Sequence, residues 1–151
     1  MKVKPQLYPR LFNKLKSAIR KEIERNYIVV SKKKFKSNVG RAYPFERVIK
    51  IPAVRDIESI YIIFHEIAHI KYYHTENPRK RTYLQELEAE IYALRCLRRH
   101  NIHKLFPQNY AAIRNRAANY IIQNIYYDIE KGLKVKNINV KALNFCRLNS
   151  K

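Results

Sequence analysis

The residues of this chain whose types and spacing can do chemistry are His65, Glu66 and His69, in the run Phe64-His65-Glu66-Ile67-Ala68-His69-Ile70. On a helix, side chains four apart lie one above the other, so the two imidazoles converge on one spot. Neutral imidazole nitrogens suit a borderline-soft divalent ion such as Zn2+, and an i, i+4 pair presents two of them without ordering a loop. Glu66 follows His65 by about 100° around the same turn. Its carboxylate can then reach a water beside the ion without ligating it. The chemistry this predicts is metal-assisted hydrolysis, with His65 and His69 as ligands and Glu66 as the catalytic base.

The helix that carries these groups must be a buried one, because Ile60-Tyr61-Ile62-Ile63-Phe64 precedes them and Ile70 follows. Two histidines and a glutamate inside such a helix would be costly without a partner, and a metal supplies one. Hydrolytic zinc keeps three protein ligands and one open position, which leaves one ligand to find. Downstream, Glu86, Glu88 and Glu90 lie in Gln85-Glu86-Leu87-Glu88-Ala89-Glu90-Ile91-Tyr92-Ala93. If Leu84, Leu87, Ile91 and Leu94 face the core, Glu86 points roughly 120° away into solvent and Glu88 and Glu90 flank the stripe on opposite sides. Phase leaves those two open.

With these motifs the chain resembles the ImmA/IrrE family of small gluzincin-type metallopeptidases over roughly residues 39 to 97. The likeness rests on a Gly-opened strand pair ending in Ile49-Lys50-Ile51-Pro52, on the histidine motif, and on Glu88-Ala89-Glu90-Ile91-Tyr92-Ala93. It implies peptidase activity on a protein substrate such as a repressor, and it implies Glu88 as the third zinc ligand, since Glu88 precedes an alanine and has an aromatic four residues on. Glu90 stands where the family usually has Asn or Asp, and is left to orient a histidine. Tyr92 and Tyr110, with His100 and His103, are the candidates for an oxyanion donor. A protease of the SprT-like or WLM type for DNA-protein crosslinks is the rival; those families close the site with a third histidine, and His74 is the nearest one here. From another class comes a non-catalytic, basic nucleic-acid-binding protein of viral or mobile-element origin that kept a structural metal.

The elements that must position these residues are predicted from pattern. Gln6–Asn26 is an amphipathic helix capped by Asn26; Tyr27–Val30, Val39–Tyr43 and Arg47–Ile51 make a small antiparallel sheet of about three strands. The metal helix starts at Asp56, Glu58 or Ser59 and runs to about Tyr73. Further helices span Thr82 to about His100 and Tyr110 to about Glu130, the last stopped by Gly132. The tail from Leu133 either docks or frays. The fold class predicted is α+β, a single, mostly helical, zincin-like domain over residues 1–151.

Only two glycines and six prolines among 151 residues favour helices with short connections over a sandwich or barrel. No signal-like or membrane-spanning run is present, and Cys96 and Cys146 show no disulfide spacing, so a soluble, reduced, cytoplasmic setting is expected, or a host-cell interior or virion for a viral chain. Cys96, His100 and His103 make a weak second metal candidate. The net charge of +20, from 32 basic against 12 acidic side chains, predicts DNA or RNA as a partner. The contacts expected are Lys14, Lys16, Arg20 and Lys21 on the first helix, Lys32, Lys33, Lys34 and Lys36 after the first strand, and Arg79, Lys80 and Arg81 before the third helix.

Overall fold

The computed structural model describes residues 7–31, 39–74 and 81–150. Within them the chain is mostly helical with a small sheet, as expected for α+β. Helix α1 (Leu7–Arg25) leads into strand β1 (Val29–Val30), and β2 (Arg41–Tyr43) and β3 (Val48–Lys50) precede the metal-motif helix α2 (Ile57–Lys71). Then follow α3 (Thr82–Arg99), the single turn α4 (Ile102–Leu105), the long α5 (Pro107–Glu130), a 3-10 turn at Val135–Asn137 and α6 (Val140–Asn149).

The apolar sequence of α2 has the consequence expected of it: eleven of its residues are buried, including His65 and Glu66. Its start is set by a reciprocal cap in which Asp56 Oδ1 accepts from the Ser59 N–H at 2.7 Å and Ser59 Oγ accepts from the Asp56 N–H at 3.0 Å. Of the three N-terminal signals read from sequence, Asp56 is the cap and Ser59 its reciprocal partner. Asn26 caps α1 through its side-chain amide, 2.7 Å from the Glu22 carbonyl, and left-handed Gly132 (φ 97°) stops α5.

The sheet differs from the expected antiparallel one. Strand β3 is central in the order β1-β3-β2, antiparallel to β2 but parallel to β1. Two local features explain this. A tight turn over Pro44–Arg47, closed by left-handed Arg47 (φ 53°), folds β3 back on β2. The Arg47 side chain then reaches the Asn26 carbonyl at the end of α1, which sets β1 against the other edge of β3. Fully buried Ile49 thus takes the middle of the sheet. The hairpin turn expected at Lys32–Lys36 lies outside the described residues.

Helix α3 is buried on two sides, which the single stripe read from its sequence did not anticipate. Tyr83 and Leu87 join Ile121, Ile125, Leu133, Ala142 and Cys146 in a cluster with α5 and α6, so the tail docks. Ala89, Ala93 and Leu97 instead join the core around α2. The small alanines let α2 and α3 approach closely. No side chain of its own caps α3; instead buried Asp128 of α5 accepts from the Tyr83 N–H at 3.0 Å. That carboxylate satisfies an orphan N–H and meets the positive end of the helix dipole. Asp128→Ala should therefore destabilise the fold by about 1–2 kcal/mol, measured by urea unfolding, with Asp128→Asn recovering part of the loss.

Candidate metal centre

The close approach of α2 and α3 brings two acidic side chains of α3, four residues apart, against the histidines of α2. His65 Nε2 and His69 Nε2 are 3.0 Å apart. Glu86 Oε2 lies 3.2 Å from the first and 3.5 Å from the second. Among the described residues, His65, His69 and Glu86 are the one group of histidine, cysteine and acidic side chains whose ligand atoms converge closely enough to hold a metal ion.

Glu88, the ligand implied by the family resemblance, is not at this point. Its carboxylate bonds His74 Nε2 at 2.7 Å, with its side chain 44% exposed. The correction has a physical cause. The face of α3 that meets α2 is the one with Ala89 and Ala93, and Glu86 and Glu90 share it, whereas the expected stripe turned Glu86 into solvent. Glu90, expected to orient a histidine, lies beside His65 without bonding it: Oε1 is 3.3 Å from His65 Nδ1, which has no hydrogen-bond partner, and Oε2 accepts from the buried Tyr61 hydroxyl.

The three ligand atoms fit a small cation. Ligands about 2.0–2.1 Å from a tetrahedral ion stand about 3.3 Å from one another, a value that the 3.0, 3.2 and 3.5 Å found here bracket. Glu86 Oε2 is also buried without a hydrogen-bond partner, a costly arrangement that a cation would relieve. Burial alone would raise the Glu86 carboxyl, but the two imidazoles beside it outweigh burial and hold it well below the usual carboxylate range. Burial would lower His65, yet Glu90, Glu86 and Glu66 leave it raised. A positive charge is what this cluster favours.

Glu66 is buried beside the cluster, and burial lifts its carboxyl above the ordinary value despite His65 and His69. Gly40, at the entry to β2, is what leaves room for it: a Cβ there would meet Glu66 Cγ at 2.5 Å. Two tyrosines that the oxyanion candidates omitted stand near His65: buried Tyr61, whose hydroxyl is taken by Glu90, and the more open Tyr120. Tyr120 of α5, 41% exposed, has its ring centroid 6.2 Å from that of His65. Burial and the nearby carboxylates, Glu86 foremost, push its phenol up to about 12. Its place in the apolar stripe of α5, beside Ala117 and Ile121, was the available signal.

The expected tyrosines lie elsewhere. The Tyr92 hydroxyl donates to Glu22 Oε2 at 2.7 Å and so ties α3 to α1, while Tyr110 sits at the other end of α5 against His103. Cys96 and Cys146 are free and buried, and Cys96, His100 and His103 form no ligand group. Of the basic residues, Lys14, Lys16, Arg20 and Lys21 are exposed on α1 and Arg81 is half-buried. Lys32, Lys33, Lys34, Lys36, Arg79 and Lys80 lie outside the described residues. No helix among the described residues is long and apolar enough to cross a membrane.

Glu86→Ala should weaken binding of a divalent ion by more than about 100-fold, and Glu90→Ala by about 10- to 100-fold. Chelator competition reads both, and parental affinity in Glu86→Ala would refute the ligand assignment. Comparisons of the chain with protein-family models, with curated proteins and with solved structures returned no match.

Proposed function

We propose that the chain is a zinc-dependent metallopeptidase that cleaves a protein substrate, with His65, His69 and Glu86 holding the ion and Glu66 as general base. The observation that carries this reading is the convergence of two imidazole nitrogens and a carboxylate oxygen that lacks a hydrogen bond, next to a second, buried acid, Glu66. Imidazole-rich donor sets with one carboxylate suit zinc. Zinc there supplies Lewis acidity, polarising a peptide carbonyl and making water acidic near neutral pH.

The protein's own groups do the rest. Glu66, a stronger base for being buried, takes the proton from water and delivers it to the leaving amine. Tyr120, kept neutral, offers a phenolic O–H to the carbonyl oxygen as negative charge develops there. Gly40 leads into β2, an edge strand of the sheet. An extended substrate backbone can add to that edge, which runs from Glu66.

A structural metal site would be closed by four protein ligands, and a buried base beside three ligands speaks against it. The SprT-like and WLM readings require a histidine as third ligand; His74 instead faces Nδ1 of His69, on the side of that ring turned away from the cluster.

One further arrangement supports action near nucleic acid. Glu22 of α1 bonds Tyr92 of α3, and exposed Lys14 of α1 and Arg99 of α3 both lie near enough to His100 to disfavour its charged form, so basic side chains of the two helices share a neighbourhood. Exposed Tyr72 packs edge-on against Tyr92, within electrostatic reach of Arg95, Arg99 and Glu88, and could stack a base. A DNA-bound protein is accordingly the substrate proposed.

Purified protein should contain about one zinc per chain, and Glu66→Gln should keep the metal while peptide cleavage falls at least 100-fold, about the contribution of a general base. Gly40→Ala should also keep the metal and lose activity, because its Cβ displaces Glu66. Zinc-free protein from replete medium, or an active Glu66→Gln, would refute the reading. Binding to single-stranded DNA should weaken steeply with salt, and Lys14→Gln with Arg99→Gln should lower the slope of log K against log salt by about 0.7 per lost phosphate contact. An unchanged slope would remove these two residues from consideration.

A further inference from the structure

We infer that His74 and Glu88 form a positioning chain for the ligand His69, locking its tautomer and tying the end of α2 to α3. The inference rests on the proposed metal reading and adds residues that neither ligate nor touch substrate.

The geometry begins at the end of α2. Tyr73 is left-handed (φ 55°), its N–H bonds the Ile70 carbonyl at 3.2 Å, and the His74 N–H bonds the His69 carbonyl at 2.9 Å. This paired closure folds the chain back so that His74 lies over His69. The His74 side chain is 1% exposed. Its Nδ1 is 3.0 Å from His69 Nδ1, and its Nε2 is 2.7 Å from Glu88 Oε2.

Proton placement along these contacts has one consistent solution when His69 ligates. His69 faces His65 and Glu86 through Nε2, so Nε2 must offer a lone pair and Nδ1 must carry the hydrogen. That N–H donates to His74 Nδ1, which must therefore be the acceptor. The hydrogen of His74 then sits on Nε2 and donates to the Glu88 carboxylate. Each link fixes the next, and the run ends on a charged acceptor that strengthens the hydrogen bonds before it. His65 Nδ1 lies 3.3 Å from Glu90 Oε1 but makes no hydrogen bond. Of the two rings, His69 is the one held from behind by hydrogen bonds that end on an acid of α3.

Outer partners of this kind change metal affinity about 10- to 100-fold. The test measures zinc affinity by competition with a chromophoric chelator in the full chain and in His74→Ala, Glu88→Ala and Glu88→Gln, with circular dichroism to verify folding. A loss of about 10- to 100-fold is expected for His74→Ala and Glu88→Ala, and a smaller one for Glu88→Gln, which keeps an acceptor oxygen. Glu88 is partly exposed, so its variants report even if His74→Ala fails to fold. Nitrogen-15 spectra of zinc-loaded protein supply the readout that a merely structural role would not move: a slowly exchanging Nδ1–H on His69 in the parent, lost or fast-exchanging in Glu88→Ala. Folded Glu88→Ala with parental affinity and an unchanged His69 signal would overturn the chain while leaving the zinc reading intact. Parent protein that binds no zinc would overturn both.

Discussion

Two imidazole nitrogens and a carboxylate oxygen held within 3.5 Å of one another, under cover, are the constraint around which this structure is arranged. Polar groups taken out of water must be repaid in kind, and Glu86 Oε2 is not repaid by any hydrogen bond within the protein. The arrangement persists because the helices that carry it are each anchored elsewhere. Helix α2 is surrounded by the core. Helix α3 is pressed onto it by alanines on one side and by the α5–α6 cluster on the other.

Anchoring of this kind separates stability from chemistry. Ile60, Ile63, Ile67 and Ile70 are almost completely buried and hold α2, while His65, Glu66 and His69 occupy the remaining positions of the same turns. Asp128 caps α3 from α5, so the first turn of the helix that supplies Glu86 is held by a residue far along the chain. Tyr92 and Glu22 brace α3 against α1 in the same way. The site is therefore preorganised by contacts between elements more than by any loop.

Acids on α3 divide the work by their depth. Glu86 reaches the histidine nitrogens, Glu90 backs His65 and is itself held by Tyr61, and Glu88 stands at the rim against His74. Three carboxylates within five residues thus meet three different surroundings. Their identical chemistry acquires different roles only through which side of the helix each occupies and what lies opposite.

What the sequence by itself determined is local. The histidine spacing, the apolar surroundings of α2, a start for it among Asp56, Glu58 and Ser59 and the Gly132 stop follow from the helical period and from short-range hydrogen bonding, and all are found in the fold; that Asp56 caps with Ser59 in return is what the structure adds. Which glutamate faces the histidines was decided by tertiary structure alone. A helix buried on one side can be phased from its apolar stripe, but α3 is buried on two, and Leu87 marks the α5–α6 side whereas Ala89 and Ala93 mark the side that meets α2. Alanine carries little hydrophobic signal, so the face that positions Glu86 was the harder one to read. The parallel pairing of β1 with β3 and the approach of Tyr120 to His65 were likewise settled by contacts between residues distant in the chain, Arg47 with Asn26 and α5 with α2, for which no local period exists.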